Sequence, residues 1–264
     1  MDLGIEGKRA LLLAASGGLG FASALALARE NVRVCLSGSN SDRAADAARC
    51  IADDTGTTAV GLAGDLSAPS NMNALLDAAR SALDGAPDIL VLNHGDPPLR
   101  KAIEVTGDEL AGHANMMMFS LIRMVQLVVP GMRERGWGRV VMVGAPAIGE
   151  PIPNNVLSNL YRGGMANYCK TLSGEVIADG VTVNIVSPSA VRTDRTLSTA
   201  EQRGALKGIS GEEELTARES ATLARRFGTP DEFGAMVAFI ASERASYTTG
   251  ANIRVDGGSA KGFG

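Results

Sequence analysis

Residues 9–20 have the sequence Arg-Ala-Leu-Leu-Leu-Ala-Ala-Ser-Gly-Gly-Leu-Gly, and this stretch decides the fold. The apolar run from Arg9 to Ala14 is typical of a buried parallel strand, and glycines end it. The Ala- and Leu-rich run from Leu19 to Glu30 follows and is typical of a helix. A strand, a glycine turn and a helix in this order can hold a dinucleotide pyrophosphate at the helix N-terminus.

The rest of the chain repeats this alternation. We predict further strands at Val32–Ser37, Ala59–Ala63, Asp88–Leu92, Arg139–Val143, Val181–Val186 and Ile253–Val255. We predict further helices at Ser41–Asp54 with Ser41 as N-cap, Ser70–Leu83, Glu109–Glu134, Ser158–Ala178 and Pro230–Ala241, with Pro130 interrupting or kinking the end of its helix. The polar stretch Val191–Ala217 lacks periodicity and indicates an irregular, flexible substrate flap at about residues 190–217.

Seven strands joined by crossover helices predict an α/β fold: one Rossmann-type domain over residues 1–264, with a doubly wound parallel sheet and helices on both faces. In such sheets a ligand binds outside the carboxyl ends of the strands. The segments that reach this edge are Ala15–Gly20, Ser37–Asn40, Asp65, Asn93–Gly95, Gly144–Ala145 and Pro188–Ser189.

Composition narrows the class of protein. The 264 residues carry a net charge of −4, which gives no basic field for nucleic acid. The first residues have no basic segment typical of a secretory signal, and the apolar stretches look too short for a membrane span. Three widely spaced cysteines favour the reducing cytoplasm. Two histidines without ligand spacing predict no metal site.

Several short motifs carry a family resemblance, and they occur in order along nearly the whole chain. They are Gly18-Leu19-Gly20, Gly64-Asp65-Leu66, Asn93-His94-Gly95, Gly138–Val141, Asp179–Asn184, Gly228–Glu232, and Thr249-Gly250 with Val255–Gly258. On these motifs the chain resembles the short-chain dehydrogenases/reductases, and within them the group that includes the β-ketoacyl-acyl-carrier-protein reductases.

The resemblance implies binding of NAD(P) through the turn that the family writes TGxxxGxG. Here Leu13 and Ala14 replace the Thr and the first Gly, whereas Gly18 and Gly20 are present. The residues expected to line the cofactor are Ser16, Gly18, Leu19, Gly20, Ser37, Ser39, Asp65, Leu66, Asn93, His94, Gly95, Arg162, Pro188 and Val191. Asp65 would accept from the adenine amino group; for Asn93, a structural amide at a strand end is an equally good interpretation.

The end of the second strand bears on the choice of nucleotide. An acid there would bind the ribose 2′-hydroxyl, and an Arg would accept a 2′-phosphate. Ser37-Gly38-Ser39-Asn40 offers neither, so nothing repels a phosphate, and Ser37, Ser39 and Arg43 could hydrogen-bond it. We therefore expect NADP as the cofactor, with NAD as the alternative. In the alternative interpretation, this serine-rich turn does not distinguish the two nucleotides.

The place of the family's catalytic residues departs from its pattern. The resemblance puts the catalytic Ser on Ala145, the Tyr on Ser158 and the Lys on Arg162. The Asn falls near Met117, and a small shift would bring it to Asn115. Arg162 keeps a cation on the helix face of residue 158, but a guanidinium is a poor proton shuttle because it stays charged.

Carbonyl reduction would therefore need a replacement acid. Tyr161 is the first candidate, although it is rotated from Arg162 by about 100° and could instead pack between helices. His94 is the second candidate, and a polar residue at a strand end is its alternative interpretation.

Three functions fit these residues. The first is an NAD(P)-dependent oxidoreductase acting on a small carbonyl or alcohol, with Ser158, Arg162, Tyr161 and Asn115 as candidate catalytic residues. The second is a non-redox enzyme, since Arg in place of Lys is similar to halohydrin dehalogenases; these, however, keep Ser and Tyr and lose the glycine turn. The third is a nucleotide-binding protein without turnover. The resemblance also implies a homodimer or homotetramer, paired through the two long helices.

Overall fold

The computed structural model describes residues 1–260 and confirms the predicted doubly wound sheet. Seven parallel strands lie in the order β3-β2-β1-β4-β5-β6-β7. They are β1 (Arg9–Leu12), β2 (Arg33–Gly38), β3 (Ala59–Ala63), β4 (Ile89–Leu92), β5 (Gly138–Val143), β6 (Val181–Pro188) and β7 (Asn252–Val255). The order reverses between β1 and β4, and this reversal opens the ligand crevice of such a sheet.

Helices cover both faces, so the central strands are mostly apolar. The helices are α1 (Gly18–Arg29), α2 (Ser41–Thr55), α3 (Asn71–Leu83), α4 (Gly107–Ala114), α5 (Ser120–Glu134), α6 (Val156–Val176), α7 (Asp194–Ser198), α8 (Ala200–Ala205), α9 (Gly211–Ala221) and α10 (Pro230–Ile240). One core packs under α1, α2 and α10, and the other under α3, α5 and α6. The N-cap of α2 is Asn40 rather than the predicted Ser41, because the Asn40 side chain accepts from the Arg43 N–H.

The predicted long helix runs continuously through α4, a π-helical segment at Asn115–Phe119, and α5. Pro130 lies inside α5 and does not end it, so the predicted interruption is wrong there; the irregularity is the π segment. Gly107–Glu134 is long and apolar enough to cross a membrane by length and composition, contrary to our expectation for the apolar stretches. In the fold, 44% of its most apolar window is buried.

The flap is helical, which corrects the prediction of an irregular segment. It contains α7 and α8, and α9 begins within it. Thr193 and Ser210 start two of these helices, because each side chain accepts from a backbone N–H three residues later. Such N-caps mark the starts of helices that the pattern of apolar residues does not reveal. Whether the flap moves remains a prediction.

Candidate active site

The glycine turn (residues 13–20) joins β1 to α1 and forms an open seat. The first hydrogen bond of α1 runs from the Phe21 N–H to the Gly17 carbonyl, so the Leu19 and Gly20 N–H groups have no partner within the helix. Gly18 has φ +55°, and a Cβ there would have no atom within 4 Å. At Gly20 a Cβ would lie 2.7 Å from the Ala15 Cα. Open space above free N–H groups at a helix N-terminus fits a pyrophosphate.

Ala14 takes the left-handed conformation, with φ +46°, at a position where the family has glycine. Its neighbours hold it there. The Asn93 Nδ2 donates to the Ala14 carbonyl at 2.9 Å, and the Ala15 N–H donates to the Ser37 carbonyl at 2.7 Å. The turn thus keeps its shape although the residue costs about 1–2 kcal/mol in this conformation.

Ser37 lies behind the turn and does not face the crevice. Its side chain is fully buried, and its Oγ accepts from the Ala14 N–H at 3.4 Å. The predicted contact between Ser37 and the nucleotide is therefore replaced by a structural role, because the alternation of β2 turns this residue inward.

Three polar side chains surround the end of β2 at the rim of the turn. Ser39 and Arg43 are exposed, and Ser16 is half-buried. A Cβ on Gly38 would lie 2.6 Å from the Ser16 Oγ, and one on Gly17 would lie 3.6 Å from an Arg43 Nη2. Two hydroxyls and a guanidinium at this place can hold a phosphate.

Asp65 and Leu66 follow β3, where an adenine would lie. The exposed Asp65 carboxylate accepts from the Ser67 N–H and hydroxyl, and these bonds lower the pKa of Asp65. Leu66 is buried, and its carbonyl accepts from the Ser120 hydroxyl at 2.8 Å. The π segment therefore ends against the edge of the crevice. Leu19, on the opposite side, packs partly buried against the core.

His94 is buried at the end of β4 in one tautomer. Its Nδ1 lies 2.7 Å from the Gly95 carbonyl oxygen, which can only accept, so Nδ1 carries the proton. Its Nε2 is buried and has no partner among the described residues. Burial above all, then the charge of Arg162, lowers the pKa of His94 to about 3. The side chain is a neutral acceptor at pH 7 and not the replacement acid.

Arg162 is buried on α6 and binds the end of β5. Its Nη1 donates to the carbonyls of Val143 at 3.0 Å and Gly144 at 2.9 Å, and its Nη2 donates to Asp96 at 3.2 Å. Its Nε has no partner among residues 1–260. Burial lowers the pKa of Arg162, and the Asp96 carboxylate opposes this. A cation therefore lies at the candidate catalytic place, with its Nε–H unpaired among the described residues.

Asp96 connects this buried arginine to the flap. Its second carboxylate oxygen lies 3.6 Å from the Arg195 Nε on α7. The Asp96 side chain is 47% exposed and that of Arg195 55%, whereas that of Arg162 is 6% exposed. We call these three residues the Arg–Asp–Arg cluster. In the sequence Asp96 follows the predicted strand Asp88–Leu92 as one polar residue of a loop, and the polar, aperiodic flap gives no signal for Arg195.

The other predicted catalytic residues do not converge. Ser158 is buried beside Arg162 on α6, and its hydroxyl has no hydrogen bond among the described residues. Tyr161 points elsewhere: its hydroxyl donates to the Leu110 carbonyl at 2.7 Å, and burial raises its pKa. The structure thus favours the packing interpretation of Tyr161 over a place beside Arg162. Asn115 is half-buried at the start of the π segment, and its side chain makes no hydrogen bond within residues 1–260.

The far side of the crevice is formed by backbone. Pro188 ends β6, and both Pro188 and Val191 are buried. The Val191 carbonyl accepts from the Thr196 hydroxyl at 2.7 Å, which ties the end of β6 to α7. Gly95 faces the π segment, since a Cβ there would lie 3.8 Å from the Met116 sulfur.

Comparison with known proteins gives a consistent result. Residues 13–260 match the family model described as Enoyl-(Acyl carrier protein) reductase. The chain is similar to 3-oxoacyl-[acyl-carrier-protein] reductase FabG of Vibrio cholerae, with 30% identity over 97% of this chain and 98% of that protein.

Two solved structures are similar over nearly the whole chain. One is L-sorbose reductase from Gluconobacter frateurii complexed with NADPH and L-sorbose, with TM-score 0.93, 29% identity and 100% of both chains covered. The other is a 3-oxoacyl (acyl-carrier-protein) reductase from Agrobacterium tumefaciens with NADP bound, with TM-score 0.87, 29% identity, and 97% of this chain and 96% of that chain covered.

Proposed function

Because the chain belongs to the short-chain dehydrogenase/reductase family, we propose that it is an NADP-dependent oxidoreductase that interconverts a small carbonyl compound and its alcohol. The observation that carries this proposal is the glycine turn: free N–H groups at the start of α1 below open space at Gly18. A non-redox enzyme would not need this seat. The relatives solved with NADPH or NADP support the same cofactor.

The preference for NADP rests on the rim of the turn. Arg43, Ser39 and Ser16 would hold the 2′-phosphate, and no acidic side chain follows β2 before Asp42 of α2. A charge-assisted bond from Arg43 is worth about 1.5–3 kcal/mol when formed. NAD lacks that phosphate and would gain nothing from Arg43.

NADP(H), when bound, supplies or accepts the hydride. The chain's own residues orient and stabilise the substrate oxygen. The free Ser158 hydroxyl and the unused Arg162 Nε–H can both donate to it, and the guanidinium stabilises negative charge as it develops there. Neither group is a phenol, so we expect a slower proton transfer than a Tyr at position 158 would give. Asn115 would contribute only through the π segment that it begins.

We also propose a homodimer or homotetramer in the cytoplasm. Phe119 and Leu160, on the two long helices, are 46% and 50% exposed. Pairing of these helices across a two-fold axis would bury both side chains in each of the two subunits. Light scattering tests this proposal: a monomeric mass at micromolar concentration would contradict it.

The function is tested by calorimetric titration of the purified protein with NADPH and NADH. We expect micromolar binding of NADPH and weaker binding of NADH. Arg43→Ala should lower NADPH affinity roughly tenfold and leave NADH unchanged. Arg49→Ala, on the same helix and paired with Asp46, is the matched control. If neither nucleotide binds, the proposed function is wrong.

A further inference from the structure

The Arg–Asp–Arg cluster holds one carboxylate between two guanidinium groups from different parts of the molecule. Arg162 is buried on α6, and Arg195 reaches in from the flap. Paired arginines around a carboxylate are the arrangement by which proteins recognise an acid. The carboxylate between them belongs to the chain itself, at Asp96, in the coil that follows β4.

The two ion pairs of Asp96 differ in how easily another carboxylate can replace that of Asp96. The contact between Asp96 and Arg195 is 3.6 Å long and exposed on both sides, so it contributes little stability. The contact between Asp96 and Arg162 supplies the counter-ion of a buried cation, which another carboxylate could supply equally well. An acid entering the crevice could therefore displace Asp96 and leave Arg162 paired.

Two buried atoms, on residues that interact electrostatically, have no hydrogen-bond partner among residues 1–260. The Arg162 Nε–H is an unused donor, and the His94 Nε2 is an unused acceptor. Both residues are about 5% exposed, and the Arg162 charge acts on His94. A hydroxyl group satisfies such a pair, because its hydrogen donates to the imidazole while its oxygen accepts from the guanidinium.

We propose that the site selects a short hydroxy acid and the corresponding oxo acid, and this inference rests on the function proposed above. The carboxylate of the ligand replaces that of Asp96 between Arg162 and Arg195. Its hydroxyl lies between the His94 Nε2 and the Arg162 Nε. The carbonyl of the oxo acid cannot donate to His94, but it still accepts from the Arg162 Nε–H and from the Ser158 hydroxyl. The acidic group, rather than the length of the apolar chain, determines specificity.

The test compares acids with uncharged counterparts by calorimetry on the protein saturated with NADP. Lactate is paired with 1,2-propanediol, and 3-hydroxybutyrate with 1,3-butanediol. We expect at least one acid to bind roughly tenfold or more tightly than its diol. Arg195→Gln should remove that preference, whereas Arg195→Lys should keep part of it. Arg192→Gln, three residues earlier on the same exposed segment, is the control and should keep the full preference.

Other outcomes overturn the inference. Equal affinity for acid and diol would show that the cluster does not recognise a carboxylate. A preference that survives in Arg195→Gln, or is lost equally in Arg192→Gln, would show that Arg195 is not its source. If NADP itself does not bind, the proposed function fails instead, and titration of the acids without nucleotide then tests the cluster alone. An acid preference that Arg195→Gln removes would support carboxylate recognition by the cluster. The absence of any acid preference would overturn it.

Discussion

The glycine turn and the catalytic end of α6 tolerate sequence change differently. The turn is made of backbone: its N–H groups and open space persist although Ala14 stands where the family has glycine. The proposed catalytic place is made of side chains, so the replacements proposed there would change the chemistry. Arg162 binds the end of β5, and Ser158 has no phenol. A site built from backbone survives substitution as long as the fold does, whereas a site built from side chains does not.

The largest expected effect tests how firmly Arg162 belongs to the structure. Arg162→Ala leaves the carbonyls of Val143 and Gly144 without their donor, so we expect a loss of about 3 kcal/mol in the free energy of unfolding. Urea denaturation measures this. Lys170→Ala, on the same helix with one exposed bond to Gly250, should cost less than about 1 kcal/mol. Equal losses of unfolding free energy in the two variants would show that the bonds of Arg162 to the end of β5 do not stabilise the fold.

The next prediction tests the turn. Gly18→Trp fills the open space above the helix N-terminus and places a side chain at φ +55°, so NADPH affinity should fall by about 100-fold or more. Gly17→Ala is the control, because its φ of −176° suits any residue. Calorimetry reads both variants. Unchanged NADPH affinity in Gly18→Trp would show that the nucleotide does not bind at this turn.

A third prediction concerns pH. The pKa of His94 is lowered from 6.5 to about 3 in the fold, so the unfolded chain takes up this proton first as pH falls. The stabilisation is complete above about pH 6.5 and is lost towards pH 3, with a slope of up to about 1.4 kcal/mol per pH unit. His94→Gln should flatten that slope between pH 6 and 4 in urea denaturation, and His113→Gln is the control. Equal slopes in wild type and His94→Gln would contradict a buried, neutral imidazole.

The smallest expected effect is a change in the free energy of unfolding on substitution of Ala14. Ala14→Gly relieves the left-handed strain of about 1–2 kcal/mol but adds freedom to the unfolded chain. We expect a net gain of about 0.5 kcal/mol in the free energy of unfolding and unchanged NADPH affinity. A clear loss of stability would mean that the Ala14 methyl contributes packing that outweighs the strain.

The sequence predicted the sheet because strand and helix patterns alternate, and short apolar runs bounded by turn residues, such as β4, favour strands. It also predicted the polar edge of the crevice. It could not give the partner of a long side chain: the contact between Asp96 and Arg195 joins segments 99 residues apart, and the sequence of one of them predicts no regular structure. The rotation of Tyr161 away from Arg162 was visible in the helix period, but its bond to Leu110 was not.

The four residues from Asn93 to Asp96 touch every part of the site in turn. Asn93 holds the glycine turn, His94 lies within the field of Arg162, and Asp96 reaches α6 and the flap. One short peptide therefore connects the seat beside the glycine turn with the buried arginine and with the flap, so the two sides of the crevice share a single support.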